Sequence, residues 1–120
     1  MPLHSVPMQK FTGVAVKGEG RATQLGFPTA NIPLTDDFPS GIYAGKVTRE
    51  GQDYLAAIYA DIERNLLEAH LLDFSGDLTG ETLVVIPIKK IRESKKFEND
   101  EALRAAIEND IRDVRRMLET

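Results

Sequence analysis

Thr82-Leu83-Val84-Val85-Ile86-Pro87-Ile88-Lys89-Lys90-Ile91, followed by Asn99-Asp100-Glu101 and then apolar residues at Leu103, Ile107, Ile111, Val114 and Leu118, decides the fold class. The first part is short, apolar and β-branched, which reads as a strand. Pro87 has no N–H to give to a ladder, so it belongs at an edge or a bulge. The second part repeats at steps of four and three, the spacing of one helical face. Asn99 suits an N-cap. Asp100 and Glu101 in the first turn and Arg115 and Arg116 in the last complement the helix dipole. The pattern predicts a helix over about residues 99–119.

Working toward the N-terminus, further strand-like runs cover Lys10–Lys17, Thr29–Ile32, Ile42–Arg49, Tyr54–Tyr59 and Leu66–Phe74. Glu50-Gly51-Gln52-Asp53 carries turn chemistry and makes a hairpin of the two runs beside it. Gly18-Glu19-Gly20-Arg21-Ala22-Thr23 reads as a loop, and residues 1–9 as an irregular lead-in. The sum is about six short strands and one amphipathic helix in a single domain over residues 10–120. Free strand edges invite aggregation, and closure into a small barrel removes them. The expected architecture is therefore mainly β, a closed barrel with a C-terminal α-helix packed on it.

Composition narrows the chemistry. The chain has 120 residues, no cysteine and two histidines, His4 and His70. Thiol nucleophiles, disulfides and Cys-ligated metals are excluded. A net charge of −4 argues against a nucleic-acid partner, which calls for a basic footprint. No apolar run reaches the ~18 residues of a membrane span, and the first residues lack a signal-peptide h-region. The expectation is a cytoplasmic protein with no membrane partner.

Several residues could carry chemistry. Gly13 and Gly18 have Walker-like spacing, but Glu19 follows where Lys is needed; Gly18-x-Gly20 has Thr23 where a dinucleotide fingerprint needs glycine. What remains is a turn with Arg21, able to face a phosphate or to be an ordinary hairpin turn. In an extended Pro28-Thr29-Ala30-Asn31, Thr29 and Asn31 share one side. Both offer hard oxygens that could help hold Mg²⁺, and both are also common turn formers. In a strand, Leu67, Ala69 and Leu71 face one side while Glu68 and His70 face the other. Glu68 could then accept a proton from a substrate hydroxyl, or form a half-exposed polar pair with His70. Basic groups in Arg92-Glu93-Ser94-Lys95-Lys96-Phe97 could meet phosphates or line a solvated loop.

The order of these fragments is more specific than any one of them. Gly18-x-Gly20-Arg21, Leu25-Gly26-Phe27-Pro28-Thr29-Ala30-Asn31-Ile32, Gly41-Ile42-Tyr43-Ala44-Gly45, Glu68-Ala69-His70-Leu71-Leu72-Asp73-Phe74 and Lys96-Phe97 before the helix together resemble riboflavin kinase. The likeness is to the ATP-dependent type that also forms the C-terminal half of bifunctional bacterial FAD synthetases, and it covers about residues 10–118. It implies a six-stranded Greek-key barrel with a C-terminal helix. It implies transfer of the ATP γ-phosphoryl group to the riboflavin 5′-hydroxyl, giving FMN and ADP with Mg²⁺ or another divalent cation.

By the same resemblance Glu68 matches the catalytic base, and Thr29 and Asn31 the positions that bind the metal and nucleotide phosphates. Gly18, Gly20 and Arg21 match a flap over the nucleotide, and Arg92 and Phe97 a second flap on the flavin side. Two departures stand out. A Gly-x-Asn-Pro-x-Phe-like stretch of the family is replaced by a shorter Ala56–Asn65 segment, and Ser94 stands where the family often has Glu. The shortened loop motivates an alternative, a catalytically weakened flavin- or nucleotide-binding module. The adenylyltransferase half has no counterpart, so FAD formation would need a separate adenylyltransferase; the chain is otherwise expected to be a monomer.

Overall fold

The computed structural model describes residues 9–18 and 20–119. The expected lead-in over residues 1–9 therefore lies outside the described residues, Gln9 apart, as do Glu19 and Thr120. The elements are β1 (Phe11–Val14), β2 (Val16–Lys17), α1 (Arg21–Gln24), β3 (Ala30–Pro33), β4 (Gly41–Arg49), β5 (Gln52–Asp61), β6 (Leu66–Leu71), β7 (Thr82–Arg92) and α2 (Asp100–Leu118). The strands form one antiparallel sheet in the order β1-β7-β4-β5-β6-β3-β2.

Seven strands replace the six read from sequence, because the run Lys10–Lys17 is two strands. It breaks at Ala15, whose N–H donates to Glu81 O and whose carbonyl accepts from Gly80 N, both at 2.8 Å. Before the break the segment pairs with β7, Phe11 opposite Val85; after it the segment pairs with β3, Val16 opposite Asn31. One short segment thus joins both ends of the sheet order and nearly closes the barrel. β4, β5 and β6 form a meander and β7 returns beside β4, the strand order of a Greek key.

Local sequence explains the turns. Glu50 and Gly51 take φ of 50° and 79°, the left-handed pair that a two-residue hairpin of the I′ type requires. Pro87 sits opposite Gly45, next to a register shift between Ala44 and Gly45, and beyond the stretch of β7 that β1 covers. Bulge and edge both apply. The loop expected at Gly18–Thr23 contains the single turn of α1, which Gly20 opens in extended geometry. α2 matches its periodicity, and Asn99 caps it by accepting from Ala102 N at 2.8 Å.

Alternation sorts the side chains into two layers. Ile32, Val47, Ile58, Leu67, Leu83 and Val85 fill the barrel. On the outside, Ala44 and Leu72 receive Val114 of α2, with Ile111, Met117 and Leu118 around them. No described helix is long and apolar enough to cross a membrane. Leu67 is fully buried between β5 and β3 and next to Glu68, so Leu67→Ala should cost about 2–5 kcal/mol. The midpoint of urea denaturation should fall accordingly, with little change in its slope.

Candidate active site

Strand register assembles the centre. β6 lies between β5 and β3, which sets Glu68 directly opposite Tyr59 on one side and Asn31 on the other. Leu67, Ala69 and Leu71 point into the barrel core, so Glu68 and His70 emerge on the outer face. There the strands and α2 wall a cleft of about 260 Å³. Its apolar surfaces come from Ile42, Tyr59, Phe97, Leu103 and Ile107, and its polar groups from Glu68, His70, Arg92 and Asp110. A second cleft, of about 200 Å³, lies against Lys17, Gly18, Thr23, Phe74, Asp77 and Thr79. Thr29 belongs to the walls of both.

The Thr29 side of this partition is tightly built. Gly18 N donates to Thr29 O at 3.0 Å. A Cβ at Gly18 would collide with Thr29 Oγ1 and stand 2.8 Å from Thr29 O, so only glycine lets the strands meet here. His70 takes no part in a pair with Glu68. Its Nδ1–H donates to Pro28 O at 2.8 Å and its ring meets Phe27 edge-on, which fixes the loop that delivers Thr29.

Glu68 is buried, and burial pushes its carboxyl above the ordinary carboxylate range. Arg64 pulls in the opposite direction: its Nη2 donates to Glu68 Oε2 at 3.1 Å. Asp61 adds a like charge that reinforces the rise. Burial also raises the Tyr59 phenol, which keeps it protonated and able to donate in the cleft.

The residues expected to form two flaps are distributed between the clefts. Arg21 lies on the larger cleft, apart from Gly18, and its guanidinium is engaged by Asp100 Oδ1 at 2.9 Å and Phe97 O at 3.1 Å. It ties α1 to the start of α2. Gly20 borders the larger cleft with Arg21, while Gly18 borders the smaller one. Arg92 and Phe97 do meet in the larger cleft, with the guanidinium 5.5 Å from the ring centroid. Arg92 is in turn held by both oxygens of buried Asp110 at 2.8 Å. Asp110 went unremarked in sequence, although it interrupts the apolar stripe between Ile107 and Val114, which is a usable signal. Arg64, Asp61 and Tyr59 gave none.

A divalent cation can be tested against Asn31 and Thr29. Asn31 is 8% exposed, and its Oδ1 has no hydrogen-bond partner among the described residues. A buried acceptor without a donor is costly, and a cation or a bound donor would satisfy it. The Thr29 hydroxyl lies two residues away, just before β3, and both oxygens are of the hard kind that a divalent cation takes. No three His, Asp or Glu residues cluster among those described, so remaining ligands would come from water and substrate phosphates.

The sequence profile of the riboflavin kinase (Flavokinase) family matches residues 7–118. The chain is 34% identical over 116 residues to a bifunctional riboflavin kinase/FMN adenylyltransferase of Pseudomonas fluorescens, aligning 85% of this chain with 36% of that protein. It thus spans about a third of the length of the curated relatives it matches. Among solved structures it resembles riboflavin kinase from Trypanosoma brucei, with a TM-score of 0.66, 29% identity, and coverage of 92% of this chain and 80% of that one. A Streptococcus pneumoniae structure described as a macrolide-efflux protein gives a TM-score of 0.76 at 29% identity, covering 88% of this chain and 38% of that one.

The raised carboxyl of Glu68 has a consequence for stability. Its folded value lies above its unfolded value, so the protonated form favours folding. That contribution is full below the unfolded value and is lost as pH rises through the folded one. Glu68→Gln removes the buried charge and should raise Tm at pH 7. The gain should disappear as the wild type protonates in acid, which melting curves at a series of pH values will show.

Proposed function

The chain belongs to the riboflavin kinase family, and from that premise we propose that it transfers the γ-phosphoryl group of ATP to the 5′-hydroxyl of riboflavin. The observation that carries the reading is the shared wall: Thr29 borders two clefts, with buried Glu68 in one and Gly18 in the other. A two-substrate transfer needs such an arrangement. The smaller cleft, with Gly18 and Thr29 backbone in close contact, suits a nucleotide. The larger one, with Tyr59, Phe97 and Ile107, suits a flat flavin ring, and Phe97 backed by Arg92 offers a stacking surface.

The chemistry balances simply. The riboflavin oxygen bonds to the γ-phosphorus, the bond from that phosphorus to the β–γ bridging oxygen breaks, and Glu68 accepts the hydroxyl proton. Phosphoryl transfer proceeds through a loose transition state, so alignment and charge neutralisation matter more than a strong base. Glu68, ionised with the help of Arg64, is base enough because the proton leaves late. Mg²⁺ would be held by Asn31 Oδ1 and the Thr29 hydroxyl and would offset phosphate charge. Thr29, on the wall between the clefts, orients the phosphates, with Asn31 behind it opposite Glu68, and the apolar wall of α2 excludes water from the acceptor hydroxyl.

ATP and riboflavin are thus the proposed partners. An adenylyltransferase is the proposed consumer of FMN, since the relatives' names join that activity to riboflavin kinase. The cytoplasm, where ATP is made available, is the proposed compartment.

Incubation with riboflavin, ATP and Mg²⁺, followed by chromatographic separation of the flavins, should give FMN. Glu68→Gln should lower kcat about 10²–10⁴-fold. Asn31→Ala should raise the Mg²⁺ concentration needed for half-maximal rate. Wild-type protein that makes no more FMN than Glu68→Gln would sink the reading.

A further inference from the structure

Arg64 sits in the turn between β5 and β6, residues 62–65, and its side chain is more than half exposed, yet it bridges two carboxylates that are each nearly buried. Its Nε donates to Asp61 Oδ2 at 2.8 Å and its Nη2 to Glu68 Oε2 at 3.1 Å. Asp61 also accepts from the Arg64 backbone N at 3.2 Å through Oδ1. The same carboxylate therefore shapes the turn and grips the guanidinium. Asp61 is the last residue of β5, paired with Leu66, and Glu68 is in the middle of the β3–β6 pairing. Both anchor points of the bridge stand on strands.

Resting on the phosphoryl-transfer reading, we propose that Arg64 is a positioning residue that sets the rotation of the Glu68 carboxylate. The terminal torsion of a glutamate is broad and roughly two-fold, so packing alone does not fix the plane of the carboxylate. A donor on Oε2 fixes it. Oε1 receives no donor among the described protein groups and is left for the substrate hydroxyl. The planar fork of arginine makes the difference: one group held at Asp61 presents a second donor in a set direction, which a flexible ammonium reproduces only in part. The guanidinium stays more than half in water while both carboxylates are nearly buried, so loss of Arg64 removes their counter-charge as well as the alignment, and Tm measured beside kcat separates the two effects.

Steady-state FMN formation by wild type, Arg64→Ala, Arg64→Lys, Glu68→Gln and the double variant Arg64→Ala/Glu68→Gln tests this, with Tm measured for each. Misplacement of a reacting group by about 1 Å costs up to 10²-fold, so Arg64→Ala should lower kcat about 10-fold or more. The KM values for riboflavin and ATP should stay within about 2-fold, the mark of an interaction that acts on the transition state. Arg64→Lys should recover part of the loss. The double variant should be no slower than Glu68→Gln, because Arg64 acts through Glu68.

Unchanged kcat in a folded Arg64→Ala overturns the inference. So does a rise in KM for ATP at constant kcat, which would place Arg64 on the phosphates, and so does a double variant whose losses multiply. A wild type that forms no FMN overturns the kinase reading and this inference with it. An active wild type indifferent to Arg64 overturns this inference alone.

Discussion

Closure of the barrel at Ala15 is the constraint on which the site depends. The hydrogen bonds that Ala15 N–H donates to Glu81 O and that Gly80 N–H donates to Ala15 O let one extended segment serve β7 on one side of the break and β3 on the other. Without it, β3 would be an edge strand held only by β6. With it, Asn31 is clamped between Val16 and Glu68. The same closure brings Gly18 onto Thr29, at a distance that no side chain on residue 18 would permit. The wall between the two clefts is therefore a product of long-range strand pairing. That pairing joins residues near the start of the chain to residues past its middle.

The second structural layer depends on a different kind of contact. α2 packs Val114 against Ala44 and Leu72 and, one turn earlier in the helix, inserts Asp110 toward Arg92. A buried ion pair returns little net stability, because desolvation of both groups offsets their attraction. Its geometry is what matters here. Both oxygens of Asp110 are engaged, and this fixes the guanidinium over Phe97, a residue of the cleft wall. Arg21 does comparable work at the other end of the loop, reaching Phe97 O and Asp100 together. The loop from Glu93 to Asn99 is thereby tied at both ends to charged groups on different elements.

What the sequence discloses and what it conceals follow from this distinction between local and distant contacts. The helix from Asn99 and the Glu50–Gly51 hairpin are written in local spacing and backbone preference. So is the outward direction of Glu68, since alternation along one strand is enough to set it. The division of Lys10–Lys17 at Ala15 is not local: the segment is uniformly strand-like, and only partners at Glu81 and Gly80 reveal the break. Arg21 and Arg92 look like free basic groups until folding delivers Asp100 and Asp110. Asp110 alone left a trace, as a carboxylate on an apolar helical stripe. Arg64 belongs to a turn whose shortness was visible, but the direction of its guanidinium is set by Asp61 and Glu68 across two strands.

The centre of the site also departs from what stability by itself would favour. Glu68 is buried at a position where its charge is costly, and beside it the Asn31 side-chain amide oxygen has no partner among the described residues. Conflicts of this kind, local rules broken at adjacent positions of two paired strands, are expected where binding rather than folding sets the residue. The polar groups are aimed at opposite requirements: one oxygen waits for a cation or donor, the other for a proton. Under the proposed reaction a phosphoryl acceptor and its metal-bound donor would supply both together, so the two residues would complement each other only in the presence of both substrates.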